Sequence, residues 1–244
     1  MTPAPAPSER LIVALDFDTA GEANDLVKRL GDNVGFYKVG WQLFLGQGWP
    51  FIDSLLQQGK RVFLDLKISD IEATVRAALA NMPSSGGGLE LITIHGNGAT
   101  VKAARAGRNG HDKPKILMLT ALSSWDEYDV RDVLSNDNAT LQDYVLSRAE
   151  RALDAGADGL IASGASVRQI RDQFKGREFL IVAPGIRPSG TAHDDHKRTL
   201  TPHEAIRDGA DYLVVGRPIT RAAQPEQAAR TIIREIAEAL SAQQ

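Results

Sequence analysis

Two aspartates flank one lysine within six residues of this 244-residue chain. The stretch FLDLKISDIEATV, residues 63–75, starts as a buried strand pattern and ends as a helix pattern, and it contains Asp65, Lys67 and Asp70. A strand that only fills a core has no use for these charges, because burying a charge is costly unless it is paired. Active sites are where such costs are usually tolerated, so the spacing predicts acid–base or electrostatic chemistry around Lys67.

Other charged residues fall near the ends of neighbouring strand patterns. Asp16 and Lys38 occupy comparable positions in the first and second patterns. Asp65 and Lys67 are two residues apart, so in a strand their side chains point to the same side. We therefore predict a row of alternating acid and base groups in which Lys38, Asp65 and Lys67 are neighbours. An ion network that only closes the end of a barrel is the alternative interpretation.

Short apolar runs alternate with helical patterns along the whole chain. The predicted strands span residues 11–17, 36–40, 61–67, 89–95, 115–122, 159–163, 179–185 and 212–219. Most are apolar on both faces, as are parallel strands covered by helices. Eight such units predict an α/β fold, a single-domain (β/α)8 TIM barrel with its active site at the carboxyl ends of the strands. A doubly wound open sheet is the alternative, but no GxGxxG sequence follows the first strand.

A candidate phosphate site follows the last two strand patterns. Gly216 and Arg217 lie at the end of the predicted strand 8, and barrels often bind phosphate with the loops after strands 7 and 8. Glycine allows a close backbone approach, and arginine can hold phosphate oxygens with a bidentate fork. The long polar loop over 185–200 is a candidate lid, with a solvated surface loop as the alternative. Its basic residues are Arg187, Lys197 and Arg198.

Composition limits the classes of protein that the chain can represent. It is 43% hydrophobic and 24% charged with a net charge of −3, which gives no indication of nucleic acid or a membrane surface as a partner. The absence of cysteine excludes disulfides, thiolate nucleophiles and Cys-ligated zinc, and the five histidines are too scattered to predict a metal site. Without a signal-peptide or membrane-spanning pattern, we expect a cytoplasmic protein with a disordered tail over 1–9 and one barrel domain over 10–244.

Three motifs together resemble one known family. DLKISDIEATV is similar to the Asp-x-Lys-x-x-Asp-Ile-x-x-Thr signature of orotidine 5′-monophosphate decarboxylases of the bacterial type, and PGIRP and VVGRPIT follow it in the order the family has them. The resemblance runs from LIVALDF to YLVVGRPIT, almost the whole chain. It implies that Lys67 is the catalytic lysine, that Asp65 and Asp70 flank it, and that Lys38 is the second active-site lysine.

The resemblance also implies an activity, an assembly and a substrate site. The family converts orotidine 5′-monophosphate to uridine 5′-monophosphate and CO2 in de novo pyrimidine biosynthesis, without a cofactor, and Lys67 would protonate C6. It implies a homodimer in which Asp70, Ile71 and Thr74 of each subunit enter the active site of the partner. The implied substrate contacts are Asp16 and Lys38 at the ribose, Ser123 and Ser124 at the pyrimidine, and Arg187, His196, Gly216 and Arg217 at the phosphate end.

The chain departs from the family pattern in places. Ile68-Ser69 and Glu72-Ala73 replace the usual Phe-His and Pro-Asn at positions that are not catalytic. His196 replaces a glutamine that closes over the phosphate, and histidine can still donate a hydrogen bond there, more strongly when protonated.

Two other functions stay open at this point. A sugar-phosphate relative, keto-gulonate phosphate decarboxylase or hexulose phosphate synthase, would use a divalent metal and would be expected to carry an acidic ligand at the end of strand 2, where this chain has Lys38. A catalytically silent nucleotide sensor on the same fold would not be expected to keep both lysines and both aspartates.

Overall fold

Parallel strands close into a barrel that helices surround. The structure is a computed structural model, and it describes residues 5–83, 88–188 and 198–243. The strands are β1 (Leu11–Ala14), β2 (Phe36–Gly40), β3 (Arg61–Ile68), β4 (Leu89–Ile94), β5 (Lys115–Leu119), β6 (Gly159–Ile161), β7 (Leu180–Ala183) and β8 (Tyr212–Val215). Each pairs in parallel with its neighbour in sequence, and β8 pairs with β1. The predicted (β/α)8 barrel is confirmed.

The helices lie outside the strands, and several of them begin at a side-chain cap. They are α1 (Ala20–Leu30), α2 (Trp41–Gln57), α3 (Glu72–Ala80), α4 (Gly98–Gly107), α5 (Glu127–Leu134), α6 (Leu141–Asp154), α7 (Ser166–Gln173), α8 (Pro202–Arg207), α9 (Arg217–Thr220) and α10 (Pro225–Ser241). At the start of α1, Oγ1 of Thr19 accepts from the Glu22 N–H at 3.3 Å, and the Glu22 carboxylate accepts from the Thr19 N–H at 3.2 Å. This reciprocal cap satisfies backbone donors that the first turn leaves unpaired. In the described part of the chain, no helix is both long and apolar enough to cross a membrane.

Two apolar cores hold the layers together. Because side chains alternate along a strand, successive residues serve different cores: Phe63 points into the barrel, and Leu64 packs against the surrounding helices. The inner core consists of Ile12, Ala14, Phe36, Phe63, Leu91, Leu117, Leu119, Ile161, Val182 and Val214. The larger outer core joins the strands to the helices. It thereby fixes the rim of the barrel, which is the carboxyl end of the strands where the loops begin.

Several predicted boundaries are wrong. β1 ends at Ala14, so Asp16 lies in the loop beyond the strand, and β8 ends at Val215, after which residues 217–220 form α9. Helix α2 begins at Trp41, and Gly48 interrupts it with a φ of 58°. This residue and Pro50, two positions later, place a kink inside α2.

The expectation of a disordered tail over residues 1–9 is wrong for its last part. Residues Pro7–Arg10 form a 3-10 helix. Arg10 Nη1 donates to the Asp211 carbonyl at 3.2 Å, and Arg61 Nη2 donates to the Glu9 carbonyl at 2.9 Å. These bonds tie the segment to the amino-terminal ends of β8 and β3, opposite the predicted active site. Residues 1–4 lie outside the described residues.

Candidate active site

The carboxyl end of the barrel interior is polar on one side and apolar on the other. On β2, β3 and β4, the residues two positions beyond the inner-core residues are Lys38, Asp65 and Thr93. They point towards the barrel axis because side chains alternate along a strand. The corresponding apolar positions on β5, β6 and β8 are Leu119, Ile161 and Val214. A charged wall therefore faces an apolar wall across the barrel mouth.

The charged wall contains the predicted row of alternating acids and bases. Nζ of Lys38 lies 2.9 Å from Oδ1 of Asp16 and 3.7 Å from Oδ2 of Asp65. Nζ of Lys67 lies 2.9 Å from Oδ1 of Asp65. Asp65 is thus shared between two ammonium groups, and the two lysines and two aspartates balance in charge.

Mutual attraction keeps this network ionised despite its burial. Burial alone would raise the pKa of Asp65, but Lys38, Lys67 and hydrogen bonds from Lys67 and Thr93 outweigh it and lower that pKa. Burial alone would lower the pKa of Lys38, but the Asp65 and Asp16 carboxylates outweigh it and raise that pKa. Both Asp65 and Lys38 are therefore charged at neutral pH.

Lys67 reaches Asp65 through an irregular backbone and not through regular strand alternation. The pairing of β3 with β4 is interrupted between Leu64 and Ile68, so residues 65–67 leave the regular ladder. Lys67 has a φ of 48°, in the left-handed region that residues other than glycine rarely adopt. Strain of this kind costs on the order of 1–3 kcal/mol and is found mainly at functional sites. The predicted neighbours are correct, although the geometry that joins them was not predicted.

Gly40 leaves the space that the network needs. It is the last residue of β2, directly before α2. A Cβ atom at Gly40 would lie 2.9 Å from Nζ of Lys38 and 3.6 Å from Oδ1 of Asp16. A larger residue would displace the Lys38 ammonium from its observed place, so glycine at this position leaves room for the network.

A cavity of about 500 Å³ opens at this end of the barrel. Its lining includes Asp16, Lys38, Asp65, Lys67, Ser123, Arg187, Gly216 and Arg217. Arg187 is buried, and its Nη1 donates to the Ile186 carbonyl at 2.9 Å. The lysines lie on the β2–β3 side and the arginines follow β7 and β8. The cavity has the volume of a small-molecule site and separates its cations into two groups.

Three predicted residues lie on the surface of the chain and not in the cavity. Asp70, Ile71 and Thr74 are exposed, Ile71 to 72%. Oδ1 of Asp70 accepts from the Ile71 N–H at 2.6 Å. Among the ion pairs of the described residues, Asp70 has none with Lys67.

Ser124 is a further predicted residue that lies outside the cavity lining. Ser123 lines the cavity, but the neighbouring Ser124 is exposed and does not line it. His196 lies outside the described residues, as does most of the predicted lid.

Two residues at this end of the barrel were not singled out from the sequence. Oγ1 of Thr93 donates to Oδ1 of Asp65 at 2.7 Å and accepts from the Lys67 N–H at 3.0 Å. Its position two residues beyond Leu91 on an inward-facing strand was the available signal. The second residue is Arg198, which the sequence indicated only as one of several basic residues in a loop.

Arg198 connects the segments that follow β5, β6 and β7. Its Nη2 donates to the Leu122 carbonyl at 2.6 Å, and its Nη1 donates to Oγ of Ser166 at 3.2 Å. A Cβ atom at Gly164 would lie 2.9 Å from Cβ of Arg198, and Gly164 has a φ of 57°. Arg198 therefore supports the backbone directly before Ser123, and glycine at 164 is what allows it to approach.

His95 lies just beyond β4, beside the network. Its backbone N–H donates to the Ile68 carbonyl at 3.0 Å, which resumes the pairing beyond the irregular segment. Burial, followed by the nearby Arg148 and Lys67 cations, lowers the pKa of His95. The imidazole is therefore neutral at pH 7 and adds no further positive charge near Lys67.

The carboxylates and imidazoles of the described residues do not form a cluster that could bind a metal ion. No group of three or more histidine, aspartate or glutamate residues in the described ranges could hold a metal ion. In the cavity, the Asp16 and Asp65 carboxylates are paired with lysines instead.

The chain is similar over nearly its whole length to proteins named orotidine 5′-phosphate decarboxylase. The profile of the Orotidine 5′-phosphate decarboxylase / HUMPS family matches residues 9–232. The decarboxylase of Nitrobacter winogradskyi is 47% identical over 232 residues, which are 95% of this chain and 94% of that protein. That of Rhodopseudomonas palustris (strain BisB5) is 44% identical over 235 residues, 96% of this chain and 97% of that protein. A crystal structure of the Lactobacillus acidophilus decarboxylase has a TM-score of 0.78 and 37% identity, covering 93% of this chain and 98% of the other. The chain therefore belongs to the orotidine 5′-phosphate decarboxylase / HUMPS family.

Proposed function

We propose that the protein converts orotidine 5′-monophosphate to uridine 5′-monophosphate and CO2, a step of pyrimidine nucleotide synthesis. The observation that carries this proposal is the network of Lys38, Asp65 and Lys67 at one side of a cavity that has Arg187 and Arg217 at another. The substrate has matching parts, a pyrimidine that must accept negative charge and a phosphate that arginine binds well. The names of the relatives point to the same activity.

Lys67 is the proposed catalytic residue. The reaction breaks the bond between C6 of the pyrimidine and its carboxyl group, and the electron pair stays on C6. The Lys67 ammonium is a compact cation that stabilises this charge and then transfers a proton to C6. Asp65 holds that ammonium through the 2.9 Å contact. The proton comes from the protein and the electrons stay in the ring, so this chemistry requires no cofactor.

The remaining cavity residues are proposed to hold the rest of the substrate. Asp16 and Lys38 would bind ribose hydroxyls as an ion pair that both accepts and donates hydrogen bonds. Ser123 would contact the pyrimidine beside the apolar wall. Arg187, Gly216 and Arg217 would bind the phosphate. Ser124 and His196 remain predicted contacts from the resemblance alone.

We also propose a homodimer in which Asp70, Ile71 and Thr74 act in the partner's site. Helix α3 supports this, since Val75 and Leu79 are buried and the rest of it faces outwards. The outward-facing residues near its start and middle are mostly small or apolar: Ile71, Ala73, Thr74, Ala77 and Ala78. Such a face is typical of a helix that packs against a second protein surface. The lack of an ion pair between Asp70 and Lys67 of the same chain agrees with a role for Asp70 in the other subunit.

Mixing two inactive variants tests the shared site. If Asp70 acts across the interface, a mixed dimer of Lys67→Ala and Asp70→Ala subunits has one intact site and one site with both lesions. An equal mixture after subunit exchange should then recover about a quarter of wild-type turnover, because half of the dimers are mixed and each has one intact site. No recovery, with dimer exchange confirmed by a size or mass measurement, would place Asp70 in its own subunit's site.

A metal-dependent reaction on a sugar phosphate is the second candidate, because the family profile covers more than one activity. Lys38 argues against it, since its ammonium occupies the strand 2 position where a metal would need an acidic ligand.

One assay separates the two candidates. Mixing the protein with orotidine 5′-monophosphate should remove the substrate's ultraviolet absorbance equally fast with and without a chelator. No absorbance change, or activity that a chelator abolishes, would contradict the proposed decarboxylation.

A further inference from the structure

A single buried hydroxyl connects the backbone and the side chain of Lys67. Thr93 lies on β4 and is completely buried. Its Oγ1 accepts from the Lys67 backbone N–H at 3.0 Å and donates to Oδ1 of Asp65 at 2.7 Å. The same Oδ1 accepts from Nζ of Lys67 at 2.9 Å. Three hydrogen bonds thus close a ring that begins and ends at Lys67.

The irregular pairing of β3 with β4 explains why this hydroxyl is needed. The regular ladder is interrupted between Leu64 and Ile68, so the strand pairing does not supply a backbone acceptor for the Lys67 N–H. A buried N–H without an acceptor costs free energy comparable to a lost hydrogen bond. The Thr93 hydroxyl oxygen takes the place of the missing acceptor, and the single hydroxyl proton is donated to Asp65.

We propose that Thr93 is a positioning residue for Lys67. Its hydroxyl holds the strained backbone of Lys67 and the carboxylate of Asp65, and this arrangement directs the Lys67 ammonium at the reacting carbon. This inference rests on the proposed decarboxylation. Thr93 does not line the cavity, so it acts through Lys67 and Asp65 and not on the substrate. Its contribution should therefore be found in kcat and not in KM.

Two substitutions separate the hydroxyl from the shape of the side chain. Thr93→Val keeps the shape and removes the hydroxyl, and Thr93→Ser keeps the hydroxyl and removes the methyl group. Small displacements of catalytic groups can lower rates by about 100-fold, so we expect Thr93→Val to lower kcat by about 10- to 100-fold with KM unchanged within about threefold. Thr93→Ser should keep kcat within about threefold of wild type.

Thr140→Val is a control for a general loss of stability. Oγ1 of Thr140 caps α6 by accepting from the Asp143 N–H at 3.0 Å, and Thr140 does not line the cavity. Losing such a cap costs about 1 kcal/mol of stability. We expect this variant to keep the wild-type kcat, which would show that destabilisation alone does not lower turnover.

Amide hydrogen exchange of Lys67 gives a measurement that needs no substrate. In Thr93→Val the Lys67 N–H loses its acceptor, so its exchange should be at least about 10-fold faster than in wild type, with no change in Thr140→Val. A kcat of Thr93→Val within about threefold of wild type, equal losses in the Val and Ser variants, or unchanged exchange at Lys67 would each overturn the role of Thr93. If wild-type protein does not decarboxylate the substrate, the proposed function fails, and the exchange measurement still decides whether the hydroxyl holds Lys67.

Discussion

Replacing Lys67 with alanine should abolish turnover and leave the fold intact. The side chain of Lys67 is about one-third exposed, at 31%, so its ion pair with Asp65 is partly screened by water. Asp65 also keeps the Thr93 hydrogen bond at 2.7 Å and the Lys38 ammonium at 3.7 Å after the substitution. We therefore expect Lys67→Ala to lower the free energy of unfolding by less than about 1 kcal/mol.

The expected loss of activity follows from two roles of the same ammonium. A unit charge about 4 Å from a developing anion contributes about 4 kcal/mol at an effective dielectric constant near 20, which corresponds to about 10³-fold in rate. Proton transfer by a positioned acid contributes about another 10²- to 10⁴-fold. Lys67→Ala should therefore lower kcat by at least about five orders of magnitude.

The assay is the loss of orotidine 5′-monophosphate absorbance, followed in parallel with urea unfolding. Lys28→Ala is the matched control, because Lys28 is an exposed lysine in the last turn of α1 and does not line the cavity. It should keep wild-type turnover and stability. A Lys67→Ala variant with more than about one-tenth of wild-type turnover would refute the catalytic assignment, since neither role could then contribute as calculated.

Three further outcomes follow from the structure. Lys67→Gly should be more stable than Lys67→Ala by about 1 kcal/mol in urea unfolding, because glycine adopts the φ of 48° without strain; an alanine variant of equal stability would contradict strain at this residue. Arg217→Ala should raise KM and lower kcat/KM by about 10- to 100-fold through loss of charge-assisted phosphate bonds, and an unchanged kcat/KM would remove Arg217 from the phosphate site. The pKa of His95 is lowered from 6.5 in the folded protein, so the unfolded chain binds the proton more readily and stability falls as the pH drops below that value. His95→Gln should therefore lose less stability than wild type between pH 7.5 and about 5.5 in urea unfolding, and equal losses would show that His95 does not contribute.

The fold was predictable because hydrophobic pattern and chain order define a parallel barrel. Every predicted strand exists, and the β2 pattern over 36–40 has the observed boundaries. The errors lie at strand ends, where the pattern cannot distinguish an extended residue in the ladder from one just beyond it. Asp16 after β1 and Arg217 at the start of α9 are examples. The rim itself was still correctly identified, since both residues line the cavity.

The contacts inside the rim depend on features that spacing does not encode. Lys67 was placed beside Asp65 by assuming regular alternation, but the contact is made by a left-handed residue in an interrupted ladder. Thr93 was not identified as a site residue, because its role depends on the strand register that brings β4 beside the irregular part of β3. Arg198 was not identified for a related reason, since its partners are backbone carbonyls that carry no signal in a sequence.

The charged residues that line the cavity differ between its two sides. On one chain, the network of Asp16, Lys38, Asp65 and Lys67 is electrically neutral, and Arg187 and Arg217 line another side of the cavity. In the proposed function, a substrate with a phosphate and a carboxylate would bind with its phosphate at the arginines, because a planar guanidinium suits phosphate and the lysines at the other side are engaged by carboxylates. In the proposed dimer, Asp70 of the other subunit adds one negative charge next to Lys67 and the departing carboxylate. Dimer assembly would then change the net charge of the residues around the departing carboxylate from neutral to negative. The charge of the residues at the phosphate end would stay the same.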